Sequence, residues 1–218
     1  MRTDGSEEPG TGLNELLDSA GLEPVTAEIA AAFDLYLSLL SHWNSRLNLT
    51  AVRDPESMRS RHFVESIACA RALPKEIHTL LDFGSGAGFP GIPIALCRPE
   101  IAVTLAESQT KKAAFLRETV RQLKLEVRVH SARAETIPAS FDCVVLRAVD
   151  RMTEAVEAAS TLVAPGGWLA LMTTRNDLPR LREAAGEGFA WGEATAISPG
   201  TTRILAQGKK STQDARGS

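Results

Sequence analysis

The sequence has no run of about eighteen apolar residues, which excludes a membrane-spanning helix. Its first residues, Met1 to Gly10, lack the basic and apolar segments of a signal peptide and read as a disordered polar tail on a cytoplasmic protein. Cysteine is scarce: Cys69, Cys97 and Cys143 are odd in number, far apart and in apolar surroundings. This excludes a disulfide framework or zinc site and predicts buried thiols. The four histidines, His42, His62, His78 and His130, show no ligand spacing, so no metal is expected. Aromatics are only 5% of the chain, too few for the stacking ladder of a single-strand nucleic-acid binder. The formal net charge of −3 means that any attraction to a polyanion must be local.

What is present is 218 residues, 44% of them hydrophobic, which fits one soluble domain with an extension, expected to be a monomer. The chain is organised around Thr79 to Pro93. A short apolar run closes on Asp82 and then on Gly84, Gly86 and Gly88 at every second position, which predicts a buried parallel strand entering a tight ligand loop with Ser85 inside it. The dinucleotide pattern Gly-x-Gly-x-x-Gly would need glycine where the chain has Phe89. An acid at the strand end is awkward beside a pyrophosphate and useful beside a cationic sulfonium, so charge favours S-adenosylmethionine over NAD.

Upstream, Ile29, Ala30, Phe33, Tyr36, Leu37, Leu40 and Trp43 recur at helical spacing and predict a helix of about four to five turns capped by Thr26. Asp54-Pro55-Glu56 has the form of a second helix start, continuing to about Leu73. From Leu80 the pattern alternates. Strands are expected at Thr79–Phe83, Ala102–Ala106, Glu126–His130, Phe141–Leu146, Gly167–Met172, Trp191–Ile197 and Thr202–Gln207, and helices at Gly91–Cys97, Thr110–Leu123, Thr153–Val163 and Asp177–Gly186. Ala164-Pro-Gly-Gly reads as a breaker, and the last two strands as an antiparallel pair across Ser198-Pro199-Gly200. The fold class is therefore α/β: a Rossmann-like, seven-stranded sheet with one antiparallel strand, as in class I S-adenosylmethionine-dependent methyltransferases. The expected division is a tail at 1–10, a helical extension at 11–75, the sheet domain at 76–208 and a second disordered tail at 209–218.

Ligands of such sheets bind at the carboxyl ends of the strands. Glu107 ends the second strand about twenty residues beyond the glycines, where a carboxylate accepts ribose hydroxyls. Ala134 and Glu135 follow the third strand as candidates for an adenine ring. Arg147 ends the fourth and faces the pocket or substrate, or pairs with Asp82 or Asp150. Basic residues cluster in two stretches flanking this pocket. Arg46, Arg53, Arg59 and Arg61 form one, and the other runs from Lys111 and Lys112 to Arg133.

The run Trp43-Asn-Ser-Arg-Leu-Asn-Leu-Thr-Ala-Val-Arg-Asp-Pro, the Arg61-His62 pair with Ser66, the loop Asp82 to Pro93, the pairs Glu107-Ser108 and Lys111-Lys112, and Arg147-Ala148 resemble the small-subunit ribosomal RNA methyltransferase G family, also called glucose-inhibited division protein B. The resemblance covers about Leu13 to Leu205. It implies methyl transfer from S-adenosylmethionine to N7 of a guanosine in the 530 loop of 16S rRNA of the small ribosomal subunit. It also implies cofactor contacts from Gly84, Phe89, Ala134, Glu135 and Arg147, and Ser108 beside Glu107 is a further cofactor candidate. Arg147 and His62 are the expected catalytic residues, orienting the base through O6 or phosphate, because N7 has no proton to lose. Expected RNA contacts are Asn48, Arg53, Arg61, His62, Lys111, Lys112, Arg175 and Arg203. Arg175 stands near the place where family members usually carry a Lys-Gly pair, and Glu65 where an Asp is commoner. A small-molecule methyltransferase and an NAD-linked oxidoreductase on the same sheet plan remain open alternatives.

Overall fold

The computed structural model describes residues 11–197 and 202–212. The chain opens with helix α1 (Thr11–Ser19), which the sequence reading passed over although Leu13, Leu16 and Leu17 sit at helical spacing. Helix α2 (Ala27–Leu47) starts where expected, with the Thr26 hydroxyl accepting from Ile29 N. It runs past Trp43 to Leu47, longer than the spacing suggested, and ends where Asn48 turns left-handed at φ 48°. Asp54 caps α3 (Pro55–Met58), its carboxylate accepting from Ser57 N at 2.7 Å, with Pro55 at the first helical position. The expected continuous helix to Leu73 is interrupted. A π-helical turn at Arg59–Val64 separates α3 from α4 (Glu65–Ala72).

The sheet half follows as β1 (Thr79–Phe83), α5 (Gly91–Cys97), β2 (Ala102–Ala106), α6 (Thr110–Gln122), β3 (Arg128–His130), β4 (Phe141–Arg147), α7 (Met152–Thr161), β5 (Val163–Thr174), α8 (Leu178–Ala185), β6 (Phe189–Trp191), β7 (Thr195–Ala196) and β8 (Arg203–Lys210). The strand order is β3-β2-β1-β4-β5-β8-β6, with β7 paired to β8 off that path. Strands β3, β2, β1, β4 and β5 run parallel, while β8 is antiparallel to β5, β6 and β7. The antiparallel closure appears as expected, but among the described residues eight strands replace seven because the expected Trp191–Ile197 strand is divided between β6 and β7. The turn at Ser198-Pro199-Gly200 and the tail at 1–10 lie outside the described residues.

Several boundaries differ from the sequence reading by a few residues, and two of the differences have a structural reason. The Ala164-Pro-Gly-Gly breaker lies inside β5: pairing passes from Phe141↔Val163 to Cys143↔Trp168, so the breaker residues are accommodated as a bulge in a longer strand. At the other end, β8 continues through Lys209 and Lys210, past the expected boundary at 208, because both residues pair with β6.

One apolar cluster joins the two parts of the chain. Leu13, Leu17, Phe33, Tyr36, Leu40, Phe63 and Ile67 from the helical part pack with Leu80, Leu105, Phe115 and Val145 from the sheet part. The change at residue 76 is thus a change of secondary structure without a gap in the core. The opposite face of the sheet is covered by α7 and α8 through Val156, Ala159 and Leu181.

Candidate active site

Because β1 lies between β2 and β4, the loop after β1 is flanked by the carboxyl ends of both neighbours, as at the ligand crevice of an open parallel sheet. A cavity of about 560 Å³ opens there, within the roughly 300–1,000 Å³ range of small-molecule sites. The structure brings Gly84, Ser85, Gly86, Phe89, Glu107, Ser108, Ala134, Glu135, Arg147, His62 and Lys112 together in its wall. Asp82 and Gly88 lie outside that wall, as do Asn48, Arg53, Arg61, Lys111, Arg175 and Arg203. Of these, Asn48, Arg53, Arg61, Lys111 and Arg175 are exposed.

The glycine loop is held from below and from the side. The Tyr36 hydroxyl, fully buried on α2, donates to Ala87 O at 2.5 Å. At Gly88, where φ is +95°, a Cβ would come within 2.5 Å of Ile92 Cδ1 and 2.8 Å of Tyr36 Oη, so only glycine passes between the loop and its floor. From the β2 side, Glu107 accepts from Gly86 N at 3.0 Å through one oxygen and from Gln109 N at 2.7 Å through the other. Its carboxylate therefore sets the loop backbone, while each oxygen keeps a further lone pair for a ligand hydroxyl.

Asp82 does not face the ligand as its place in the motif suggested. Its side chain points into the protein, 1% exposed, and Oδ2 accepts from Gly91 N at 3.0 Å at the start of α5. Oδ1 has no partner among the described residues. Burial is the largest influence on this carboxyl and raises it to about 7, against the lowering effect of the Gly91 hydrogen bond. Gly91 fits because a Cβ there would fall 2.6 Å from Asp82 Oδ2 and 2.3 Å from Leu105 Cδ2. The second half of the Gly-Phe-Pro-Gly segment carries this signal, which the sequence reading left unused.

Arg147 lies in the cavity wall, but its guanidinium is committed within the protein. Nη2 directs its two hydrogens to Glu65 Oε2 and Arg61 O, both at 2.7 Å, and shares one of them with His62 Nδ1 at 3.1 Å; Nη1 donates to Ser66 Oγ at 3.2 Å. Its ion-pair partner is Glu65, in place of the expected Asp82 or Asp150, and Arg203 Nε approaches the other Glu65 oxygen at 3.5 Å. Burial raises the Glu65 carboxyl while Arg147 and Arg203 pull it down. The π-helical turn presents Arg61 O and His62 Nδ1 to the same guanidinium.

His62 is held on both sides of its ring. An arginine has no acceptor, so Nδ1 must accept from Arg147 and the ring proton sits on Nε2, which donates to Thr50 Oγ1 at 2.9 Å. Burial, followed by the charges of Arg147, Arg61 and Arg203, pushes this imidazole down to about 3, so it stays neutral. Its ring stacks on Phe89 with centroids 4.8 Å apart. Thr50 and Tyr36 are not site candidates from sequence, and Glu65 stands out there only as a departure from the family's Asp: Tyr36 is indistinguishable from a core position of α2, while an acid at 65 between Val64 and Ser66-Ile67 is the available sign of a buried ion pair.

Among the described residues no group of three histidine, cysteine or carboxylate side chains is placed to hold a metal ion, and no helix is long and apolar enough to cross a membrane.

Comparison with solved structures gives the fold. A methyltransferase from Pyrococcus furiosus superposes with a TM-score of 0.61 at 15% identity, covering 82% of this chain and 98% of that one. M. jannaschii TYW2 in complex with AdoMet superposes with a TM-score of 0.54 at 18% identity, covering 67% and 74%. Among sequences, a ribosomal RNA small subunit methyltransferase G of Xanthomonas campestris pv. campestris (strain B100) is 42% identical over 166 residues, 75% of this chain and 76% of that protein. That of Stenotrophomonas maltophilia (strain K279a) is 42% identical over 163 residues, 73% and 74%. The GidB family model, described as rRNA small subunit methyltransferase G, matches residues 29–189, the span holding the glycine loop, Glu107 and the Arg147-His62-Thr50 chain. With a class I methyltransferase sheet, this cavity and those relatives, the chain belongs to the family of rRNA small subunit methyltransferase G.

Proposed function

We propose that the chain methylates N7 of a guanosine in the 530 loop of 16S rRNA in the small ribosomal subunit, with S-adenosylmethionine as methyl donor. The cavity fits that donor. Glu107 is fixed beside the loop with lone pairs toward ribose hydroxyls, Ala134 and Glu135 stand at the next strand end, and a diphosphate at this loop would meet the Glu107 carboxylate. S-adenosylmethionine bound there supplies an electrophilic methyl group on a sulfonium.

The observation that carries the choice of acceptor is the state of His62. Its Nδ1 is occupied by Arg147, its Nε2 carries the proton, and its basicity is suppressed to about 3, so the imidazole in this wall neither takes nor gives a proton. An acceptor that needs no deprotonation suits such a wall, and guanine N7 attacks through an in-plane lone pair. Arg147 and His62 then act as positioning residues, in place of direct contacts to O6. Lys112, Arg133 and Arg151 line the cavity and supply local positive charge for RNA, with Arg53, Arg61 and Lys111 exposed around it.

The test is transfer of tritiated methyl groups to small ribosomal subunits from a strain lacking the enzyme, followed by nucleoside mapping. One 7-methylguanosine per subunit in the 530 loop is expected. Label in another nucleoside, or none in ribosomal RNA, overturns the reading.

A further inference from the structure

We infer that the Thr50 hydroxyl is a donor-only reader of the acceptor base, which presents its hydrogen to O6 of guanine and rejects the amino group that adenine carries at that position. The inference deepens the proposed function and rests on it.

A threonine hydroxyl ordinarily rotates and serves as donor or acceptor, so by itself it discriminates little. Here both lone pairs of Oγ1 are taken. His62 Nε2 donates to it at 2.9 Å, in the tautomer that Arg147 imposes through Nδ1, and Val52 N donates to it at 3.2 Å. What remains is the hydroxyl's own hydrogen, and none of the described residues offers it an acceptor. The oxygen is also fixed in place. Asn44, 6% exposed, accepts from Thr50 N at 2.9 Å and donates to Val52 O at 3.4 Å, clamping the backbone on both sides of the turn.

Thr50 lines the same cavity as His62 and Phe89. A fixed donor there favours a base edge with an acceptor next to N7. Guanine offers O6 at that place and adenine offers an N6 amine, which would set donor against donor. The ion pair of Arg147 with Glu65 thereby governs base choice at one remove: the guanidinium sets the tautomer, the tautomer occupies the hydroxyl, and the hydroxyl reads the base.

The test uses small subunits reconstituted with 16S rRNA that carries either guanosine or 2-aminopurine riboside, which lacks O6, at the modified position. Wild type, Thr50→Val and Thr50→Ser are compared. On guanosine, Thr50→Val is expected to lose roughly 10- to 100-fold in kcat/KM, because O6 is left without its donor, while Thr50→Ser stays within about threefold. On 2-aminopurine riboside, wild type and Thr50→Val are expected to differ by less than about twofold. Affinity for S-adenosylhomocysteine, read by calorimetry, stays within about twofold in all three. Equal losses of Thr50→Val on both substrates would mean a merely structural role and overturn the inference, as would a Thr50→Val enzyme as active as wild type on guanosine. Should the valine variant not fold, Thr50→Cys replaces it in the same two-substrate comparison with the same criteria. Failure of the wild type to methylate guanosine subunits refutes the proposed function instead, and is seen before any variant is compared.

Discussion

Arg147 Nη2 lies 2.7 Å from Glu65 Oε2, with the two side chains 6% and 2% exposed, so a buried ion pair ties the end of β4 to the start of α4 across 82 positions of sequence. Removing Arg147 leaves buried Glu65 with only the longer Arg203 contact at 3.5 Å, and breaking a buried pair in this way costs up to about 3–5 kcal/mol where the site cannot rehydrate. Arg147→Met is expected to lower stability by that order in urea unfolding. Arg147→Lys should recover less than half of the loss, since one ammonium cannot reach Arg61 O, Ser66 Oγ, His62 Nδ1 and Glu65 together.

Tyr36→Phe leaves the buried Ala87 carbonyl without its donor and the glycine loop without its tether. The expected outcome is a stability loss of about 1–3 kcal/mol and a weaker affinity for S-adenosylhomocysteine by roughly tenfold, with both read on the same sample. Gly88→Ala, which drives a Cβ against Ile92 and Tyr36 at positive φ, should impair binding more severely than Tyr36→Phe.

Glu107 acts on the loop as well as on the ligand. Glu107→Ala frees Gly86 N and Gln109 N together and is expected to reduce S-adenosylhomocysteine affinity by roughly 100-fold in calorimetry. Glu107→Gln keeps one acceptor oxygen and should fall between wild type and alanine. NADH at the same concentration should shift the melting temperature of wild type by less than S-adenosylhomocysteine does.

Asp82 supplies a pH signature. Its carboxyl is raised in the folded protein from an ordinary 3.8 to about 7, so its contribution to stability is full below pH 4 and is lost as pH rises through about 7. His62, depressed from 6.5 to about 3, acts with the opposite sign between those values, lowering stability as pH falls. The two are separated by variants. In Asp82→Asn, the oxygen that accepts from Gly91 N is kept and the ionisable group is gone, so the ratio of its stability to that of wild type should rise from pH 4.5 to pH 7.5. Parallel stability curves for the two proteins over that range would show that Asp82 does not titrate there.

The parts of the fold legible in the sequence were those written in local pattern. The Thr26 and Asp54 caps, the Gly91–Cys97 helix and the β1 and β2 bounds follow from spacing, turn residues and the glycine loop. What local pattern does not carry is the direction in which a polar side chain points. Asp82 and Glu107 both end strands, and only the packing of α5 under the loop turns one inward and leaves the other in the cavity wall. In the same way the sequence leaves Arg147 to the pocket, or to Asp82 or Asp150, whereas the π-helical turn, invisible to a 3.6-residue periodicity, delivers Glu65, Arg61 O and His62 to it. Arg203, expected at the RNA, approaches Glu65 for the same reason. The Pro165-Gly166 signal was correct in kind and misplaced in effect, since a bulge absorbs it.

Tyr36 belongs to α2, yet the loop it braces lies 51 residues downstream. A shortened protein beginning at β1 would keep every glycine of the motif and lose the hydroxyl beneath Ala87, together with Thr50, His62 and the carboxylate facing Arg147. The helical N-terminal part therefore completes the binding hollow from outside the nucleotide-fold half, and separating the two would yield an apolar sheet face with a slack loop, not a smaller methyltransferase.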